Sequence, residues 1–118
     1  MKQAQIVTAY NIINKLSDKK INLSTAFQIY KLKNKLKEYY DFQFEEEKKL
    51  LDLYNGIIDN GSLNFSNQED ANKFVEEMQK IADIEQDLEI SPVLLSCSEN
   101  IQLSVNEIKQ LEGFIVFE

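Results

Sequence analysis

Between Ser24 and Tyr54 the chain contains neither glycine nor proline, so nothing in that stretch breaks a helix. Ala26, Ile29, Leu32, Leu36, Tyr39 and Tyr40 recur at spacings of three and four, and the stripe resumes at Phe44, Leu50, Leu51 and Tyr54. That spacing predicts one long helix, about 46 Å at 1.5 Å per residue. The segment Tyr39–Phe44, rich in aromatics, is where it could kink. Everything else in the chain has to arrange itself around this rod.

Upstream, Ile6, Val7, Tyr10, Ile13 and Leu16 predict a first helix over residues 3–16. The polar break Ser17–Lys20 and the extended link Ile21–Leu23 follow, with Asn22 or Ser24 as the cap of the long helix. Downstream, Asn55-Gly56 ends the rod, and Asn60-Gly61 between Ile57–Asp59 and Ser62–Phe65 predicts a tight β-hairpin. Ser66 and Glu69 have the spacing of a capping box for a third helix over about residues 67–86, with Ala71, Phe74, Val75, Met78 and Ile81 on one face. Leu88–Ile90 and Pro92–Leu95 read as extended, Ile101–Leu103 as a short strand and Phe114–Phe117 as a buried terminal strand. Ser104 and Glu107 form a second capping box, opening a short helix that stops at Gly113. The expected fold is α+β and mostly helical. It is a long antiparallel helical hairpin with a β-hairpin tip plus a small C-terminal strand and helix unit, folded as one domain over residues 1–118.

Charge is divided unevenly. Residues 1–44 carry eight Lys against Asp18, Glu38 and Asp41, whereas residues 45–118 carry five Lys against 17 acids, and the net charge is −7. If the long helices fold back about a turn near residue 60, Lys31, Lys33, Lys35 and Lys37 should face Asp83, Glu85, Asp87 and Glu89. Glu45, Glu46 and Glu47 should then lie near Lys73. On that expectation the charge pattern sets orientation, and surplus acid on the third helix is left for a basic partner.

The missing residues narrow the chemistry. There is no His, no Trp and no Arg, all 13 basic residues being Lys. A Ser or Cys nucleophile therefore lacks its commonest base, and zinc or iron its usual imidazole ligand. The single cysteine, Cys97, cannot form an internal disulfide, and a reducing compartment is expected. Runs such as Glu45-Glu46-Glu47 and Glu76-Glu77 are the ordinary solvated faces of helices. Asp59-Asn60-Gly61 does not have the glycine position of an EF-hand loop, and Gly56, Gly61 and Gly113 cannot build a phosphate loop. We expect no enzyme, no cofactor and no metal. Direct nucleic-acid binding is disfavoured by the negative charge and the lack of Arg, although an acidic helix can mimic nucleic acid. Neither a signal peptide nor a membrane span is read, which predicts a soluble chain in the cytosol.

Taken together, Leu23 to Gly56, the Asp59-Asn60-Gly61 turn, the helix holding Phe74 to Ile81 and the ending Gln102–Ile115 resemble the domain of unknown function 1617 family. Its members are short proteins encoded by phages and prophages of Gram-positive bacteria. The resemblance implies a phage origin and carries no assigned activity and no functional residues. The expectation is a non-enzymatic protein-binding protein, for instance an inhibitor of a host or anti-phage defence protein. It would bind through Glu76, Glu77 and Asp83 on the acidic helix or through Asn60 and Gly61 at the hairpin tip. The rival is a virion or assembly accessory component that self-associates into a homo-oligomer, and a carboxylate-based metal hydrolase is the third and weakest reading.

Overall fold

The computed structural model describes residues 1–118. Its elements run α1 (Gln3–Leu16), α2 (Leu23–Leu53), β1 (Ile57–Asp59), β2 (Ser62–Asn64), α3 (Gln68–Ala82), β3 (Val93–Leu95), α4 (Val105–Gln110) and β4 (Ile115–Phe117). The architecture is the expected mostly helical α+β arrangement, 51 × 33 × 22 Å, with the 31-residue α2 running along its length.

Helix α2 starts where the side chain of Asn22 accepts from the amides of Ser24 and Thr25, at 2.9 and 3.4 Å. It stops at a left-handed Asn55 (φ 55°), where the Gly56 amide turns back to the Leu51 carbonyl at 2.8 Å. Space at Gly56 is tight: a Cβ there would come within 2.7 Å of Leu51 Cδ2 and 3.0 Å of the Phe65 ring, so one of those side chains would have to shift. The main core lies at the other end, where Ile6, Ala9, Ile13 and Leu16 of α1 pack against Ile29, Leu32 and Leu36 of α2. Strands β3 and β4 pair in parallel, Val93 opposite Ile115, and seat Val93, Leu95, Phe114 and Ile115 against that core. A smaller cluster under the hairpin is built on buried Phe74, whose ring lies 5.2 Å from that of Phe65.

Four sequence expectations are corrected. Asn67, not Ser66, caps α3, accepting from the Asp70 amide at 2.9 Å. Helix α3 ends at Ala82 instead of continuing to residue 86, because residues 84–86 pair with the chain start. The Gln3 amide donates to the Ile84 carbonyl at 2.9 Å, and the Gln86 amide to the Met1 carbonyl at 2.8 Å. Ile101–Leu103 is not a strand; Ile101 and Leu103 are half-buried plugs against the core with no ladder partner.

The fourth correction concerns charge. Helix α3 does run back along α2, since Gln3, bonded to Ile84, also donates its side-chain amide to the Tyr39 carbonyl of α2. The expected cross-helix ion pairs are absent; at the Asp83 end, the start of α1 lies between α2 and the segment that leaves α3. Asp83 pairs with Lys2 at 3.6 Å and Glu85 with the terminal amine at 3.1 Å. Lys37 turns to Asp41 on its own helix at 2.7 Å, Lys33 to the Ser17 hydroxyl, and Lys35 to the backbone carbonyl of Glu89. Glu45 and Glu46 are bonded to Lys48 and Lys49, and Lys73 to Glu69. Partners one turn away on the same helix need little extra ordering to meet.

Candidate functional site

Three surfaces are candidates for contact with another molecule. The first is the acidic face of α3. Glu76 is exposed and unpaired. Glu77 is half-buried and bonded to Lys80 at 2.9 Å, and Asp83 caps the helix while paired with Lys2. The hydrogen bond from Lys80 to Glu77, followed by their Coulomb attraction, holds the Lys80 ammonium above the ordinary lysine pKa. Glu69 does the same to Lys73 two turns earlier. The three carboxylates expected to act together therefore do not form a free acidic stripe.

The second surface is the hairpin tip. Asn60 and Gly61 have φ values of 51° and 79°, the left-handed pair that a two-residue hairpin turn requires. They set the register Ile57–Asn64, Ile58–Leu63 and Asp59–Ser62. Side chains alternate along a strand, so Ile58 and Leu63 share one face, while Ile57 and Asp59 lie on the other. All six strand residues are exposed, including Ile58 at 65% and Leu63 at 41%. A lone two-stranded hairpin is marginal in water. This one is anchored at its base by Leu51, Phe65 and Phe74 and presents aliphatic side chains and unpaired strand edges to solvent. Asn60 and Gly61 thus shape the turn, and the exposed aliphatic side chains beside them are the candidates for contact.

The third surface is a stripe that periodicity reading missed. Leu23, Phe27 and Tyr30 lie at i, i+4 and i+7 on the outward side of α2, opposite buried Ile29, Leu32 and Leu36. Leu23 is 85% exposed, the Phe27 and Tyr30 rings are stacked 6.4 Å apart, and Lys31 sits 4.6 Å over Phe27. The signal was present as a second apolar stripe out of phase with the first. Beside Tyr30 is a cavity of about 140 Å³ whose walls include Ile21, Ala26 and Ile29 and whose rim carries Lys19 and Lys33.

Elsewhere, an open groove between α1 and α4 is lined by Gln5, Thr8, Asn106, Lys109 and other mostly polar side chains. No three of the Cys, Asp and Glu side chains converge closely enough to hold a metal ion. Cys97 is exposed and free. No helix is long and apolar enough to cross a membrane. The chain matches no family model, no curated protein and no solved structure.

Proposed function

We propose that this chain is a non-enzymatic protein-binding protein that engages its partner through the β-hairpin tip. The observation that carries the proposal is the solvent-facing Ile58–Leu63 pair on a hairpin anchored only at its base. Burial of aliphatic side chains by a partner is the interaction such a tip supplies, and its open strand edges add backbone hydrogen bonds. Asp52 and Asp59 fringe it with acid, which favours a partner with a basic rim. Of the acidic helix, only Glu76 remains without an ionic partner among the three carboxylates first considered, so α3 is the lesser surface. On the family resemblance, the reading extends to a phage protein that inhibits a host or defence protein.

Affinity capture from lysate of a Gram-positive host tests this with two variants. Ile58→Glu should lose a partner that the wild-type chain retains, whereas the triple reversal Glu76→Lys, Glu77→Lys, Asp83→Lys should keep it. The opposite pattern would overturn the proposal and return the site to α3.

A further inference from the structure

The two exposed apolar surfaces lie at opposite ends of the molecule and are set in opposite charge. Helix α2 begins at Leu23 and ends at the hairpin, and its 31 residues account for nearly all of the 51 Å long axis. At the Leu23 end, residues 15–35 carry six Lys and one Asp; at the hairpin end, residues 45–77 carry nine acids and three Lys. Internal pairing does not erase this contrast. Lys19, Lys20, Lys31 and Lys33 have no carboxylate partner, and neither do Glu47, Asp52, Asp59 and Glu76.

We propose that the Leu23–Phe27–Tyr30 face of one copy receives the hairpin tip of a second copy, Ile58 entering the cavity beside Tyr30. The cavity is of side-chain size and apolar inside, and it is rimmed by Lys19 and Lys33. Asp59, next along β1, stands on the opposite face from Ile58, so it adds to the acidic character of the tip as a whole and not to a paired contact at the cavity rim. Apolar burial supplies the affinity, and the charges select this end of the partner over its own acidic end. The contact joins two different surfaces, so each copy keeps one free tip and one free face. Repetition then gives chains of molecules instead of a closed dimer.

This inference rests on the tip being a docking element and names its partner. Sedimentation velocity over a wide concentration range, at about 50 mM and then about 500 mM salt, reads it directly. The wild-type chain should grow beyond one copy as concentration rises at low salt, and shrink back at high salt. Tyr30→Glu and Ile58→Glu, both at exposed positions, should each weaken association about thirtyfold or more, as expected for central contact residues. Mixed one to one, the two variants should form a dimer and nothing larger, since one brings the intact tip and the other the intact face.

A wild-type chain that sediments as one copy throughout would overturn the inference. So would loss of association in Ile58→Glu but not in Tyr30→Glu, which would indicate tip-to-tip contact. In either case, loss of a lysate partner by Ile58→Glu would leave the tip itself standing as a docking element.

Discussion

Replacing Gln3 with Ala should destabilise the fold well beyond what an ordinary polar substitution does. Gln3 is the one polar side chain in the buried set, fully enclosed at the start of α1. Its amide donates to the Tyr39 carbonyl at 2.7 Å and lies 3.4 Å from Gln43 Oε1, while its own Oε1 accepts from the Gln86 amide at 2.9 Å. One side chain thus ties α1 to the middle of α2 and to the segment that leaves α3. Truncation removes two good hydrogen bonds, each contributing about 0.5–1.5 kcal/mol net, and strands the half-buried Gln86 amide. It also leaves a small cavity, and together these amount to about 2–4 kcal/mol. For a chain of this size that is roughly a 10 °C drop in Tm.

Gln3→Leu separates the contributions. It keeps the volume and loses the hydrogen bonds, so it should cost less than Gln3→Ala, about 1–2 kcal/mol. Urea denaturation of both variants, together with Gln86→Ala and the Gln3→Ala, Gln86→Ala double variant, gives the coupling energy. We expect about 0.5–1.5 kcal/mol between residues 3 and 86. A Gln3→Ala cost below about 0.5 kcal/mol, or zero coupling, would refute the claim that this junction fixes where α3 returns along α2.

Other perturbations follow from the same geometry. Gly56→Ala drives a methyl group into Leu51 and Phe65 and should cost about 1–3 kcal/mol by overpacking, read as a lower urea midpoint with an unchanged slope. Gly61→Ala meets no neighbour but must keep φ near +79°, so its strain of about 1–2 kcal/mol should appear as faster amide exchange in residues 57–64 with little change in Tm. The Ser104 backbone amide, which donates to Glu107 at 3.0 Å, holds the Glu107 carboxyl below the ordinary carboxylate pKa, with Lys15 assisting. A lowered folded-state pKa gives stability that is complete above the unfolded value and is lost as pH falls through the folded one. The melting temperature should therefore decline on acidification below the usual carboxylate range, and Glu107→Gln should flatten part of that decline; superimposable curves would contradict the assignment.

Much of this fold was legible in the residues because the signals were local. A 31-residue stretch without Gly or Pro, Asn60-Gly61 between aliphatic pairs, and Ser104 three residues before Glu107 each act within a few bonds of where they are read. What was not legible depended on contacts distant in sequence. Ser66 and Asn67 are adjacent capping candidates, and local sequence alone does not choose between them. The charge register failed at the Asp83 end, where the start of α1 lies between α2 and the segment that leaves α3. A hydrophobic stripe announces burial, but Leu23, Phe27 and Tyr30 form a stripe that nothing in this chain covers. At the candidate tip, the turn residues and the strands holding the aliphatic pair were legible, whereas the pairing of Glu77 with Lys80 and of Asp83 with Lys2 depended on side-chain placement that sequence does not show.

Hydrogen exchange of the bound complex against the free chain tests the central claim most directly. The account predicts fast exchange at the exposed amides of residues 57–64 in the free protein and strong protection of the same segment once a partner is bound. In self-association, protection should appear over residues 19–33 as well. Protection confined to residues 69–83 of α3, with the hairpin still exchanging freely, would contradict it.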